Sequence, residues 1–237
     1  MKRKERVNML LRLPLPKKVY KFMEPKRLKE LQGSKTFFIN HLNNYSEEKL
    51  GSEIGDNDEG RLNTKFNIGN YTFNKGKPKN PIFEQAFRSM QRGIHIGEEA
   101  NNVTLENVVI EQNIDDNNYY VYCTSLECDQ KLKKEFGGAT LVINDFQNFL
   151  LSINREMIKI GKQPYSFGAC EYVSKRENVF TEFDSEFVMS LPFLIKEKRY
   201  GYQKEFRVLW KNSDNEIIKA PLKLYCPQAL EYCEFVF

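Results

Sequence analysis

The sequence predicts an α+β fold, a single domain in which a mixed or antiparallel sheet is flanked by helices. Three observations carry this. Short runs alternating between apolar and polar residues recur along the chain, and stripes of helical period fall between them. No internal repeat or low-complexity linker divides the chain. With 41% hydrophobic residues, 18 Phe and 12 Tyr in 237 positions, it can fill a sizeable core.

Residues 1–18 read as a flexible basic leader, with Lys and Arg in the first six positions, Lys17 and Lys18 at its end, and Pro14 and Pro16 limiting any helix. The domain then runs over 19–237. "VYKFM" (19–23) is a short strand, "EPKRLKELQGS" (24–34) a helix, and "KTFFIN" (35–40) a second strand. Pro25 marks the helix start, Leu28 and Leu31 share one side, and Gly33 suits a left-handed end. This β-α-β opening is followed by a long polar stretch carrying Glu47, Glu48, Glu53, Asp56, Asp58 and Glu59. Counted from Asp56, the fifth position is Gly60 and the twelfth Asn67, so an EF-hand fails and a solvated acidic loop over 47–59 is expected.

Further on, "PIFEQAFRSMQR" (81–92) places Ile82, Phe83, Ala86, Phe87 and Met90 near one helical stripe, with Gly93 and Gly97 after it. "NVTLENVVIEQN" (102–113) reads as one or two strands, "DDNN" as a turn, and "YYVYCTSLE" (119–127) as a strand. A helix in "DQKLKKEFGG" (129–138) precedes the strand "ATLVIND" (139–145). The next helix, from Phe146, aligns Phe149, Leu150, Ile153 and Met157 with it. The remainder is strand-rich: "FGACEYVS", "SLPFLIK", "YQKEFRVLW", "EIIKAPLKLY" and "EYCEFVF".

Composition excludes several functions. A net charge of +4 is too small to argue for nucleic-acid binding without clustering. No apolar run reaches the ~18–20 residues of a membrane span. The N-terminus lacks a small-residue cleavage site, so a cytoplasmic protein is expected. The chain has five Cys and two His with no closely spaced pair, which fits free thiols better than a metal site. Glu171, Glu177, Glu182 and Asp184 offer no paired-carboxylate pattern, and Cys123 has no evident histidine partner. "FGG" (136–138) reads as a turn in preference to a phosphate cradle, and the tyrosines 119, 120 and 122 lack the interleaved cations of a base-stacking platform.

The stretch 202–210, "YQKEFRVLW", is the most informative. As a strand it sends Tyr202, Phe206, Val208 and Trp210 one way, with Lys204 among them, and Gln203, Glu205 and Arg207 the other. Such a face is either solvated or the wall of a polar cleft.

A β-α opening, a later strand ending Cys123-Thr124-Ser125 and the Gln203-x-Glu205 pair follow the order of elements in ADP-ribosyltransferases, which the chain remotely resembles. Over most of 19–210 it also resembles an uncharacterised bacterial and phage family, through "YKF", the Cys-x-Ser strand, "FGGATLVI" and "YQKEFR". The transferase resemblance implies an enzyme that cleaves NAD and passes ADP-ribose to a macromolecular acceptor, protein or nucleic acid, as in toxins or phage–host conflict. It implies catalytic roles for Glu205, Gln203 and Ser125. Glu205 grips the ribose, Gln203 orients the acceptor, and Ser125 hydrogen-bonds Glu205 or the ribose. Tyr20, Lys21, Thr124 and Arg207 hold NAD. The chain departs from the family in placing Lys21 where a first-strand arginine belongs and in starting the triplet with Cys123. The alternative is a non-enzymatic interaction protein acting through the acidic loop 47–59 and the basic leader.

Overall fold

The computed structural model describes residues 15–45, 48, 56–89, 95–181, 183 and 191–237. Its elements begin with β1 (Val19–Met23), α1 (Pro25–Ser34), β2 (Thr36–His41), β3 (Arg61–Phe73), α2 (Pro81–Ser89), β4 (Val103–Asp115) and β5 (Tyr120–Ser125). They continue with α3 (Gln130–Glu135), β6 (Ala139–Ile143), α4 (Phe146–Lys159), β7 (Lys162–Ala169), β8 (Glu171–Val173) and β9 (Glu177–Thr181). The last are β10 (Ile195–Glu197), β11 (Glu205–Asn212), β12 (Leu222–Tyr225) and β13 (Cys233–Val236). The fold class is α+β. Among the described residues no helix is long and apolar enough to cross a membrane.

Where the sequence leads one to expect a single domain, the chain packs as two compact units. The first gathers Met1–Glu59, Asn117–Tyr172 and Lys196–Phe237, and the second Gly60–Asp116 and Val173–Ile195.

In the first unit the strands form an antiparallel sheet with the order β12-β2-β5-β1-β6-β13, and β11 joins β5 to β7. One face is the core. Phe206, Val208 and Trp210 of β11 bury there with Tyr122 and Leu141, against Leu28 and Leu31 of α1 and the Phe146–Met157 stripe of α4. Each such side chain contributes about 1.5–3 kcal/mol. Trp210 keeps its one polar atom satisfied by donating Nε1–H to Asn154 Oδ1 at 2.7 Å. Side chains of Asp129 and Asp145 cap α3 and α4 by accepting from the backbone N–H of Leu132 and Asn148. Gly33 lies inside α1, and Lys35 takes the left-handed C-cap at φ 57°, donating its N–H to Leu31 O.

The described end of the leader is attached to this unit. Leu15 packs on the core, and Lys17 O accepts from Phe146 N–H. The rest of the expected leader, residues 1–14, lies outside the described residues, as do Met90 and Gly93 near the expected end of α2.

The second unit has its own sheet and core. β3 pairs antiparallel with β4 over nearly its whole length and parallel with β9. Phe66, Tyr71 and Phe73 pack there against Phe83 and Phe87 of α2 and Phe180 of β9. Tyr71 donates its hydroxyl to Glu84 at 2.8 Å, so the polar ends of this cluster are paired. Burial, the largest influence, pushes the Tyr71 pKa up to about 12.

Several expected strands are shorter than the sequence pattern suggests: in "SLPFLIK" Pro192–Leu194 form a 3₁₀ turn and pairing begins at Ile195, and "EYCEFVF" is strand only from Cys233. The stretch 202–210 enters the sheet only at Glu205, because 198–203 form a 3₁₀ turn and Lys204 is left-handed at φ 44°. Of 216–225 only Leu222–Tyr225 pairs, along β2.

Candidate functional site

β5 carries β11 along one edge, from Ser125↔Glu205 to Tyr120↔Trp210. Its other edge is divided. β2 pairs at Tyr120 and Val121, β1 pairs at Ser125, and between them the two strands part to leave a notch at Tyr122–Thr124. A sheet interior normally pairs every carbonyl, so the notch needs a substitute partner. Lys21 of β1 supplies it, donating from Nζ to Cys123 O at 2.8 Å, with the ammonium 4.4 Å from the Tyr122 ring centroid. Burial holds the Lys21 pKa below the ordinary lysine value, against the opposing pull of Cys123 and Glu205.

Glu205 and Arg207 stand on the sheet face opposite the core, as strand alternation requires, yet this face is not solvated. Arg207 is 1% exposed and Glu205 8%. Arg207 donates Nε–H to Glu205 Oε1 at 2.6 Å, and Lys196 of β10 donates from Nζ to Glu205 Oε2 at 2.8 Å. The same ammonium reaches Gln203 Oε1 at 2.8 Å and lies 3.9 Å from Glu59 Oε1. Glu59 closes the network by accepting two hydrogen bonds from the Arg207 guanidinium, each 2.7 Å.

Burial opposes ionisation of Glu205, but the charges of Arg207 and Lys196 outweigh it and hold the carboxyl well below the usual range. Burial likewise opposes the charge on Lys196, and Glu205 and Glu59 outweigh it, keeping that lysine protonated. Tyr172 accepts the Glu205 backbone N–H at 2.7 Å, which fixes the point where the chain leaves its left-handed residue and enters β11.

The notch and the polar face open on one cavity of about 120 Å³. Six of the residues expected from the sequence line it: Tyr20, Lys21, Thr124, Ser125, Gln203 and Glu205. Gln203 reaches it from the 3₁₀ turn and not from the strand, and it shares Lys196 with Glu205. Ser125 contributes differently from expectation. Its single hydroxyl hydrogen lies between the backbone carbonyls of Gln203 and Glu127, each 2.9 Å away, and ties the turn to β5, where a bond to Glu205 or the ribose is expected. Thr124 Oγ1 similarly serves the backbone, donating to Phe206 O at 3.1 Å. Arg207, expected to hold NAD, is committed to Glu59 and Glu205 and so acts on the site through Glu205.

Three contributors escape the sequence reading. Lys196 sits in the apolar run "LPFLIK", where one lysine among large hydrophobics is the only signal. Tyr45 lines the cavity with its hydroxyl 3.4 Å from Cys123 Sγ. Glu59 belongs to the expected solvated acidic loop, yet it is 5% exposed, and Asp56 beside it is 2% exposed. The Asp56 carboxylate accepts from Asp58 N–H, a turn in place of a solvated or ion-binding side chain. Glu47 and Glu53 lie outside the described residues, as do Glu182 and Asp184.

Burial pushes the Cys123 thiol up to about 12, so it is not a nucleophile at neutral pH. The amides of Gly137 and Gly138 donate to the carbonyls of Lys134 and Lys133 at the end of α3, so "FGG" is a helix stop whose N–H groups are engaged within the chain. Tyr120 and Tyr122 are buried in the core and present no open stacking face. Among the described residues no group of three His, Cys, Asp or Glu is arranged to hold a metal. Comparison with protein-family models, with curated proteins and with solved structures finds no match for the chain.

Proposed function

We propose that the first unit binds NAD with its nicotinamide end in the notch and transfers ADP-ribose to a macromolecular acceptor. One observation carries this reading: six residues selected for that chemistry, from three separated stretches of sequence, line a single cavity. The cavity volume of about 120 Å³ suits one small ring, whereas pockets for whole drug-sized ligands run to about 300–1,000 Å³. The adenylate half therefore lies outside it.

In this reading the bond between ribose C1′ and the nicotinamide nitrogen breaks, and the electron pair leaves with nicotinamide. The acceptor's lone pair forms the new bond to C1′, and its proton passes to solvent. Positive charge develops on the ribose, where an ionised carboxylate fixed in advance is most effective. Glu205 meets that requirement, because Arg207 and Lys196 hold one oxygen each and keep it charged. Its depressed pKa makes it an electrostatic partner and a poor proton donor. The aromatic sides of Tyr20, Phe22 and Phe136 offer flat apolar surface to the ring.

The test is NAD-dependent thermal stabilisation together with nicotinamide release and transfer of labelled ADP-ribose into a cell lysate. Wild type is expected to show all three. Tyr20→Ala leaves the charge network intact and is expected to lose the NAD-induced shift while keeping its own Tm. Glu205→Gln is expected to retain NAD binding and lose transfer. No shift and no nicotinamide release with wild type would sink the reading.

A further inference from the structure

We infer that Lys21 is a covalent carbonyl site: its side-chain amine condenses with a small uncharged aldehyde held in the cavity and forms an imine. This activity goes beyond the NAD reading and uses no NAD.

A lysine becomes a nucleophile where burial is not offset by a counter-charge. Two lysines line this cavity, and they differ in that respect. Lys196 Nζ stands 2.8 Å from Glu205 Oε2 and 3.9 Å from Glu59 Oε1, and these carboxylates keep it an ammonium. Lys21 has no such partner. Its contacts are the Cys123 carbonyl at 2.8 Å and the Tyr122 ring, 4.4 Å to the centroid. Among the described residues no carboxylate lies within ion-pair distance of it. Glu205, which lines the same cavity, has one oxygen held by Lys196 and the other by Arg207. Burial therefore prevails and lowers the Lys21 pKa, with Arg27 adding to it and Cys123 and Glu205 opposing.

The Cys123 carbonyl positions the nitrogen in either state, because an ammonium and a neutral amine can both donate N–H to an oxygen. The neutral amine keeps its lone pair for a carbonyl carbon. As the C–N bond forms, the carbonyl π pair moves to oxygen, which takes up a proton. That oxygen then leaves as water, the nitrogen loses its last proton, and amine plus aldehyde become imine plus water with no oxidant required. Tyr45 lines the cavity too, and burial pushes its pKa well up, so its hydroxyl stays protonated as a donor to the departing oxygen. Phe22, Leu132 and Phe136 make the cavity wall apolar, and about 120 Å³ limits the aldehyde to a short chain or one ring. With Lys21 neutral, Lys196 and Arg207 are matched by Glu205 and Glu59, so an uncharged ligand fits the balance.

The experiment treats the folded full-length protein with butanal and cyanoborohydride at neutral pH and locates N-butyl-lysine by peptide mass spectrometry. Cyanoborohydride delivers hydride to the imine carbon and fixes the adduct as a secondary amine. Lys21 is expected to be modified about tenfold or more faster than the exposed Lys26 and Lys29 of α1, and Lys196 not at all. The preference is expected to vanish in urea, and folded Lys21→Met, checked by its thermal transition, is expected to lack the fast adduct. Lys21 modified no faster than Lys26 and Lys29 overturns the inference. So does a preference that persists in urea, a Lys196 that reacts as fast as Lys21, or a fast adduct that survives in folded Lys21→Met. If Lys21→Met does not fold, the ratios within wild type decide alone.

Discussion

Arg207 and Glu59 meet fork to fork, with Nη1 2.7 Å from Oε2 and Nη2 2.7 Å from Oε1, although 148 positions separate them in sequence. The pair is buried, so water cannot replace either partner. It joins the end of a polar excursion to the strand that carries Glu205, and the third guanidinium bond, from Nε, continues to that carboxylate. The charged network is therefore a bracket behind the cavity wall and not a row of independent surface pairs.

Arg207→Lys retains the charge but not the planar fork, so at least one of the three hydrogen bonds to Glu59 and Glu205 is lost. Hydrogen bonds to charged groups contribute about 1.5–3 kcal/mol each. The expected cost is about 3 kcal/mol, read as a lowered urea midpoint with an unchanged denaturant slope. A variant as stable as wild type would show that the bracket carries no energy.

Acid should loosen the same bracket. The folded-state pKa of Glu205 is depressed, so its contribution to stability is present above the unfolded carboxylate value of about 4.3 and is lost as pH falls below it. Across urea midpoints at pH 7, 5, 4 and 3, the contribution of this group is expected to start falling below pH 5 and to fall most steeply in the last interval. Glu205→Gln, itself destabilised by about 3–5 kcal/mol because two buried cations lose a counter-charge, should show a shallower decline there. The expected difference in slope approaches 1.4 kcal/mol per pH unit for one proton. Identical slopes in the two proteins would exclude Glu205 as the linked group.

How far the sequence discloses this arrangement depends on the range of each interaction. Alternation within eight residues is local, so the shared face of Glu205 and Arg207 and the core face of Phe206, Val208 and Trp210 are legible directly. The apolar stripe of α4 is legible for the same reason. Gln203 is misread because Lys204 turns left-handed, a backbone event that the side-chain pattern does not record. Lys196 and Glu59 reach the site through tertiary contacts from segments that look, by themselves, like an apolar run and a solvated loop. The second unit is obscured by a slip in its own alternation. Ile68 pairs with Val108 and Asn70 with Glu106, leaving Gly69 and Asn107 between them, so the buried positions pass from Phe66 and Ile68 to Tyr71 and Phe73. A strand of thirteen residues thereby reads as weak alternation.

Thiol reactivity separates the cysteines by environment. Cys128 is exposed, while Cys170 and Cys226 are buried. Burial pushes Cys123 and Cys233 each up to about 12, which disfavours the reactive thiolate at pH 8. A disulfide reagent at pH 8 is therefore expected to give one fast-reacting thiol, lost in Cys128→Ser, with the rest reacting only on unfolding. A second fast thiol removed by Cys123→Ser would contradict the upward shift of the Cys123 thiol by burial.

The paired glycines after α3 offer a comparison in which sequence context is nearly constant. Gly137 and Gly138 both have positive φ, 104° and 95°, so an alanine at either position is strained. They differ in space. A Cβ on Gly138 meets nothing within 4 Å, whereas one on Gly137 lies 2.8 Å from Glu24 Cα and 2.9 Å from its nitrogen. Those are backbone atoms at the start of α1, directly after β1, and they cannot rotate aside. Gly138→Ala is expected to cost about 1–3 kcal/mol from backbone strain alone. Gly137→Ala adds about 1–3 kcal/mol for the overpacked contact and should shift β1, whose Tyr20 and Lys21 line the cavity. Its urea midpoint should fall clearly below that of Gly138→Ala, and NAD-induced stabilisation should weaken only in the Gly137 variant. Equal midpoints would mean that the approach of Gly137 to Glu24 relaxes freely and that this turn does not set the position of the cavity wall.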